Sequence, residues 1–343
     1  MKLKISYFSS AIRTSFSLLG TVLGAGFISG SELIKFFPSQ NFLPSIFLSG
    51  IIFLLFFGVL LYVGKKLDGF DGVLNFIFKD KSKYALAVFN LCSLCICATM
   101  LAGIDSLFFE CFSVAKTIPI FSLSALILCF FVCKKGVNGI NKITSFLIPI
   151  VLSFIFLYSF IYKGGEYQFY QTQKYNAVWL SLSYVGVNVF LSAPVVCDLG
   201  KNANNFSVLI FSIVVSVCAY IILSLVFKEG ANAINSDMPL LYVINAKGEV
   251  GGKIFAIFCL CGILCSLFSS FYALQLSTKN KPKLRILACC LIFLLSRIGL
   301  KGIISTIYPI FSVCGLVFVF LILVNMFKIK RPPLQNKSKI YQA

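Results

Sequence analysis

The chain has 343 residues, of which 59% are hydrophobic and only 12% are charged, and its formal net charge is +19. This composition excludes an ordinary soluble domain and is typical of a polytopic membrane protein, whose apolar runs of about 20 residues alternate with short polar loops. The absence of histidine excludes histidine-based acid–base catalysis, histidine–metal sites and histidine proton relays.

The first apolar segment follows Lys2 and Lys4 and could be mistaken for a signal peptide. Arg13 interrupts the run and many further apolar segments follow, so we interpret it as a retained helix. Its middle reads GTVLGAGFISGSE, with four glycines and one carboxylate. Because glycine weakens a helix by about 1 kcal/mol relative to alanine, this stretch predicts a break at Gly24-Ala25-Gly26. The alternative is close helix packing through its small residues.

Nine more apolar segments follow, so the sequence predicts ten spans. They lie near residues 12–38, 42–64, 84–109, 117–133, 143–163, 176–197, 206–228, 253–276, 284–300 and 303–327. With the N-terminus inside, the cytoplasmic side carries 21 of the 30 lysines and arginines, which is the positive-inside asymmetry. We therefore predict a multi-pass protein of the cytoplasmic (inner) membrane, with both termini and the basic tail 329–343 in the cytoplasm. The basic residues set topology and attract anionic lipids, and we expect no nucleic-acid partner.

The ten spans come into register when the sequence is shifted by about 161 residues. An odd number of spans in each half forces the second half to enter the membrane from the opposite side. We therefore predict an all-α integral membrane protein with one transport domain over residues 1–343. It would contain an inverted repeat of five plus five helices, 1–163 and 176–328, with helices 1 and 6 both discontinuous. The alternative is that any ten-span chain with short loops shows some periodicity.

The sixth span, NAVWLSLSYVGVNVFLSAPVVCDLG, carries small and polar residues at its midpoint and a proline farther along. Interruptions at corresponding positions of two halves indicate a binding site near the bilayer midplane. An opened helix exposes N–H groups that suit a carboxylate and carbonyls that suit a small cation. The predicted substrate-binding residues are Gly24, Ala25, Gly26, Tyr184, Gly186 and Asn188.

Two stretches, GTVLGAGFISGSELIKFF and YVGVNVFLSAPV with the DLG after it, resemble the YkvI-type family of bacterial membrane proteins. That family is a branch of the amino acid–polyamine–organocation superfamily, which has the LeuT fold. The resemblance covers the whole ten-span chain. It implies alternating-access transport of a small solute, often an amino acid, coupled to Na⁺ or H⁺, and it does not imply a particular substrate.

The resemblance also implies a cation site, because sodium-coupled members of this fold bind the ion between the break of span 1 and hydroxyls of span 8. Ser266, Ser269 and Ser270 share one helix face here, and hard cations prefer oxygen ligands. By resemblance, the carbonyls of Gly20 and Leu23 would complete the set. The alternative is that these serines bond to carbonyls of their own helix or of neighbouring helices.

The coupling ion is predicted to be Na⁺, with H⁺ as the alternative. Proton-coupled relatives can place a lysine at the sodium position, whereas no lysine lies within the core of spans 1, 5 or 8, and Lys142 stands only at the edge of span 5.

Charged residues inside spans are costly unless they face a cavity or a partner. Glu32 lies six residues beyond Gly26, about 9 Å of helix rise, and is expected in the outer vestibule as a gate, a proton carrier or a partner of Lys35. Asp105 and Arg297, near the outer ends of their spans, are expected to be solvated or paired. Asp198 is expected to be structural.

These features predict a secondary active transporter, a Na⁺-coupled symporter of a small solute such as an amino acid. The alternatives are a H⁺-coupled transporter of a nucleobase or organic cation, a channel, and a transporter-like sensor. No nucleotide-binding glycine loop is present, no serine–lysine pair suggests an intramembrane enzyme, and no cofactor is expected. The expected partners are the solute and membrane lipids, with the chain as a monomer or homo-oligomer. The 14 cysteines lie almost entirely in apolar spans and are expected to pack as small hydrophobic residues.

Overall fold

The fold is known from a computed structural model that describes residues 2–38, 40, 42–112, 119–133, 136–162, 164–167, 176–201, 203–204, 206–277 and 282–328. The described residues form helices joined by short turns and contain no strand. The predicted basic tail 329–343 lies outside the described residues.

The helices of the first half of the chain are α1 (Lys2–Val22), α2 (Ala25–Ser29), α3 (Ser31–Phe36), α4 (Phe42–Lys66), α5 (Phe70–Phe78), α6 (Ser82–Phe112), α7 (Ile120–Cys133) and α8 (Gly136–Ile161). The helices of the second half are α9 (Ala177–Gly200), α10 (Phe206–Glu229), α11 (Ala231–Asn235), α12 (Pro239–Lys247), α13 (Glu249–Ser277), α14 (Pro282–Ser296), α15 (Leu300–Thr306) and α16 (Tyr308–Met326).

Several of these helices are long and apolar enough to cross a membrane. Within the described residues seven helices meet that requirement, and the bent pair α14 and α15 would make eight. The other two predicted spans fall on α1 to α3, which is interrupted, and on α7, which has only 14 residues. Large side chains such as Phe47 and Phe160, each 73% exposed, face outward. The chain is therefore a multi-pass, all-helical membrane protein.

The last predicted span starts later than the sequence indicated. Residues 300–306 form a separate short helix, α15, which is bent by 98° from α14. Gly299 allows the bend, because its φ of +89° is a conformation that side-chain-bearing residues rarely adopt. The long apolar helix α16 then begins at Tyr308, so the predicted start at residue 303 was wrong.

The predicted break in span 6 is also wrong. Helix α9 runs without interruption from Ala177 to Gly200, with Pro194 inside it. The polar side chains of the span bond within the continuous helix, since Asn188 Nδ2 donates to the Tyr184 carbonyl at 3.0 Å and Ser192 Oγ to the Asn188 carbonyl at 2.5 Å.

Glycines let α9 lie against two neighbouring helices at very short range. A Cβ atom at Gly186 would lie 2.7 Å from the Ser312 carbonyl oxygen of α16, and one at Gly315 only 1.9 Å from the Gly186 carbonyl oxygen. On another side, a Cβ at Gly64 of α4 would lie 2.2 Å from the Cys197 carbonyl oxygen. Gly186 is therefore a packing residue between α9 and α16, and its small size explains why it sits in an unbroken helix.

The contact between α4 and α9 allows a direct stability test. Gly64→Ala forces a methyl group onto the backbone of α9, and we expect it to lower the free energy of unfolding by about 1–3 kcal/mol or more. Gly58→Ala is the matched control on the same helix, because nothing lies within 4 Å of a Cβ there. Thermal unfolding of the purified proteins measures both changes. Equal midpoints for the two variants would contradict this packing.

The connection after α4 contains the unpredicted helix α5, which Asp198 of α9 fixes in place. One Asp198 carboxylate oxygen accepts from the backbone N–H of Phe70 at 3.0 Å, and the other accepts from the Tyr272 hydroxyl of α13 at 2.8 Å. Asp198 thus joins three elements, which agrees with the structural role expected for it.

Candidate functional site: the interrupted first span

A break in the first span is present, at Leu23 and Gly24 rather than at Gly24-Ala25-Gly26. Helix α1 ends at Val22 and α2 begins at Ala25, with Gly24 in an extended conformation between them. The Gly24 N–H bonds to the Val22 carbonyl at 2.8 Å rather than to the carbonyl of Gly20. The Gly20 carbonyl is thereby released, and it accepts a hydrogen bond of 2.9 Å from the Ser266 hydroxyl of α13. The break therefore connects the first span to α13, which is the predicted span 8, through a hydrogen bond to a backbone carbonyl.

The break is enclosed by residues of α6 and α13 that were not singled out from the sequence. The Met100 sulfur accepts from the Ala25 N–H at 3.4 Å, and a Cβ at Gly24 would lie 2.7 Å from the Met100 methyl carbon. A Cβ at Gly103 would lie 2.4 Å from the Ala25 side chain, and one at Gly262 would lie 1.9 Å from the end of Ile28. Glycines in spans 3 and 8 were the available signal, since small residues permit close helix approach.

A second turn, at Gly30, separates α2 from α3. Gly30 has φ +86°, and it is the C-terminal cap of α2 and the N-terminal cap of α3. The segment is therefore not one straight helix, and Glu32 does not lie 9 Å beyond Gly26. A Cβ at Gly26 would lie only 2.9 Å from Oε2 of Glu32. The structure thus places Glu32 beside the break, whereas a straight helix would have carried it to the outer vestibule.

The Glu32 side chain is buried, with 4% of its surface exposed. Its Oε1 accepts a hydrogen bond from Asn188 Nδ2 of α9 at 3.4 Å. The expected partner Lys35 instead directs its ammonium to the Ile304 carbonyl of α15, at 2.5 Å. Glu32 therefore links the interrupted first span to α9, and this part of the site could not be inferred from sequence spacing.

Some of the predicted substrate-binding residues lie at or beside the break, and others pack against neighbouring helices. Gly24 lies in the break, Ala25 and Gly26 begin α2 directly after it, and Asn188 contacts Glu32 beside it. Tyr184, one turn before Asn188, is fully buried against the rings of Phe36, Phe37 and Phe53. Gly186, in contrast, packs against α16, as described above. Whether any of them binds a solute stays a prediction.

The predicted cation ligands are only partly assembled. Ser266, Ser269 and Ser270 are all buried on α13, and Ser266 reaches the Gly20 carbonyl. Ser269 bonds to the Cys265 carbonyl of its own helix at 3.0 Å, as the alternative reading expects. A Cβ at Gly262 would lie 3.5 Å from the Leu23 carbonyl oxygen, so that carbonyl faces α13. Lys142 of α8 is exposed.

Two ion pairs lie at the bend between α14 and α15. Arg297 of α14 contacts the Asp105 carboxylate of α6, and Lys301 lies 3.7 Å from Asp237. Both pairs line a cavity of about 600 Å³ at the bend between α14 and α15. Asp105 and Arg297 are therefore paired with each other, in agreement with the expectation from the sequence.

The cysteines do not form a recognisable redox or metal site. All 14 are free thiols, and Cys129 and Cys133 lie one helical turn apart with their sulfurs 3.8 Å from each other. Among the residues that the structure describes, no group of three or more cysteine, aspartate or glutamate side chains is arranged to hold a metal ion.

The chain is similar over most of its length to two proteins of Bacillus subtilis (strain 168). It is 25% identical over 329 residues to "Uncharacterized membrane protein YkvI", an alignment that covers 90% of this chain and 94% of that protein. It is 24% identical over 324 residues to "Uncharacterized protein YyaD", with 87% and 92% covered. No family model matches the chain. These similarities support the resemblance to YkvI-type membrane proteins and the assignment to a membrane.

Proposed function

We propose that this YkvI-like membrane protein is a secondary active transporter that binds a small solute, such as an amino acid, at the break of its first span. The observation that carries the proposal is the interrupted α1–α2 segment, buried among α6, α9 and α13. Non-helical backbone at membrane depth is tolerated only where it is buried in protein or lines a water-filled cavity, and in transporters such breaks bind solutes and ions.

The proposed architecture has ten spans in a LeuT-like inverted repeat of the amino acid–polyamine–organocation superfamily. In that arrangement α1 to α3 form the first span, and the short helix α7 forms the fourth. Both termini are cytoplasmic, and the membrane is the cytoplasmic membrane. The interrupted first span supports the proposal. Because α9 is continuous, the proposed architecture has such a break in its first repeat and none at the corresponding span of its second repeat.

The proposed coupling ion is Na⁺, bound between the carbonyls of Gly20 and Leu23 and the hydroxyls of α13. The hydrogen bond from Ser266 to Gly20 supports this placement, since it brings two oxygen ligands within 2.9 Å of each other. The exposed position of Lys142 argues against a lysine at this place. Coupling to H⁺ is the second candidate, and the buried carboxylate of Glu32 favours it.

Thermal stabilisation of the purified protein tests the proposal. We expect a member of a panel of amino acids, nucleobases and small organic cations to raise the unfolding midpoint, and to raise it further with Na⁺, because a solute that binds the native state stabilises it by mass action. Uptake of that solute into proteoliposomes should saturate and be stimulated by the same solute inside. Uptake that does not saturate would indicate a channel, and binding without uptake would indicate a sensor.

A further inference from the structure

A cavity of about 340 Å³ lies where three of the apolar helices end. Its walls come from α8, α12 and α13, and they include two tyrosines, one lysine and two glycines: Tyr158, Tyr162, Lys247, Gly248 and Gly251. The span of α8 ends at Ile161, the span of α10 ends at Glu229, and the span of α13 begins at Glu249. Because three spans end beside it, the cavity lies at the level of a membrane surface.

Lipid-facing side chains border this cavity on two helices. Ile161, which is one of its lining residues, is 73% exposed, and Phe160 beside it is exposed to the same extent. On α13, Val250 precedes the lining residue Gly251 and is exposed, as is Ile254 one turn later. Exposed apolar side chains on membrane-spanning helices contact lipid acyl chains. A lipid whose chains lie along α8 and α13 can therefore place its headgroup in the cavity.

Two adjacent glycines at the start of α13 have different roles. A Cβ atom at Gly252 would lie 1.4 Å from the side-chain oxygen of Asn245, so glycine is required there for the packing of α12 against α13. A Cβ atom at Gly251 would instead meet Ile244 at 3.6 Å, which is an ordinary contact. Packing therefore does not require glycine at position 251, and its small size leaves space in the cavity.

One ammonium group and one carboxylate meet beside the cavity without forming a close pair. Lys247 Nζ lies 3.7 Å from Oε2 of Glu229, which is longer than a hydrogen bond. The Tyr162 hydroxyl donates to the same carboxylate oxygen at 2.7 Å, and the Lys247 ammonium lies 5.6 Å from the centre of the Tyr162 ring. Tyr162 thus holds both charged groups near the cavity, and the two charges cancel in sum.

The two tyrosine rings give the cavity an aromatic wall. The ring centres of Tyr158 and Tyr162 lie 6.0 Å apart. Tyrosines are enriched where a membrane meets water, because the ring is apolar and the hydroxyl is polar. The Tyr158 hydroxyl is buried and has no hydrogen-bond partner among the described residues. Such an unsatisfied polar atom is uncommon and calls for an explanation, for example an absent partner.

We propose that this cavity binds the zwitterionic headgroup of a phospholipid in which a phosphate is joined to a primary ammonium group, as in phosphatidylethanolamine. Lys247 binds the phosphate oxygens, and Glu229 binds the ammonium group, since charge-assisted hydrogen bonds are the strong ones. A headgroup with only negative charge is disfavoured by Glu229, and a headgroup without charge leaves both residues unmatched. The site lies on helices other than α1 to α3, so the proposal is independent of solute transport.

Thermal unfolding of the delipidated full-length protein in detergent, with lipids of identical acyl chains added, tests the proposal. The probes are phosphatidylethanolamine, phosphatidylglycerol, which lacks the ammonium group, phosphatidylcholine, whose quaternary ammonium has no N–H donor, and diacylglycerol, which has no charge. We expect phosphatidylethanolamine to raise the unfolding midpoint most, because a ligand that binds the native state stabilises it by mass action. Soluble glycerophosphoethanolamine at the same concentration should raise it far less, since it has no acyl chains.

Two variants locate the effect at the cavity. Gly251→Leu fills the space and removes no charge, and it should weaken binding of phosphatidylethanolamine about tenfold or more. Glu229→Gln should remove the preference for phosphatidylethanolamine over phosphatidylglycerol, because a contact with a charged group is lost. Lys253→Gln is the matched control, since Lys253 forms an exposed pair with Glu249 at 3.6 Å near the same end of α13. It should respond to the four lipids as the wild type does.

Three results would overturn the proposal. Equal stabilisation of the wild type by phosphatidylethanolamine and phosphatidylglycerol would mean that the ammonium group is not recognised. An unchanged preference for phosphatidylethanolamine in both Gly251→Leu and Glu229→Gln would place the lipid elsewhere. Equal stabilisation by soluble glycerophosphoethanolamine would mean that the cavity binds a free solute and not a lipid.

Discussion

Gly26→Leu should abolish uptake of the stabilising solute while leaving membrane insertion and yield largely intact. The leucine side chain would collide with Glu32, where even a Cβ would lie 2.9 Å from Oε2, and with the side chain of Ile304. It would displace Glu32 from the break at which the proposal places the solute. Gly24→Leu should act in the same direction, since a Cβ there would lie 2.7 Å from the Met100 methyl carbon.

The measurement is initial uptake into proteoliposomes at equal protein content, with Gly58→Leu as the control. Gly58 lies in α4 and has open space around it, so a leucine there should change uptake little. We expect uptake by the two variants at the break to fall at least a hundredfold. Normal uptake by both would mean that the glycines serve only helix packing, and the binding-site assignment would be withdrawn.

Ser266→Ala should raise the Na⁺ concentration needed for half-maximal uptake by about tenfold. This is the change expected when the bound Na⁺ loses its contact with one hydroxyl oxygen. Ser266 is the hydroxyl that already meets the released Gly20 carbonyl. Ser269 and Ser270 are both buried nearby, and their double replacement by alanine should have a similar effect. Solute affinity at saturating Na⁺ should change less, because ion and solute raise each other's affinity by one common factor.

The control for the serine variants is Ser93→Ala. Ser93 is buried in α6 and bonds to the Phe89 carbonyl of its own helix, at 2.9 Å, so its loss should not affect Na⁺ dependence. Uptake that does not depend on Na⁺ and is driven by a proton gradient would contradict the proposed sodium site. Glu32→Gln would then be the first variant to examine for loss of proton coupling.

The sequence by itself determined the class of the protein and the place of its first break. Long apolar runs require helices in a membrane because backbone groups must be bonded internally there, and the described spans are helical apart from the interruptions of the first and the bend between α14 and α15. The glycines at positions 24 and 26 lowered helix stability locally, and the helix does end at Val22 and restart at Ala25. Composition and local propensity suffice for these features, since both act within a few residues.

The tertiary structure decided what each glycine and each polar residue does. Gly186 looked like Gly24 in sequence, yet it packs against α16 inside a continuous helix, because close contact with Gly315 compensates for its weak helix propensity. Similarly, the turn at Gly30 brought Glu32 back beside Gly26 and next to Asn188, which is 156 positions away in sequence. Spacing along one helix cannot predict such contacts, since they depend on which helices lie side by side and on how the chain turns between them.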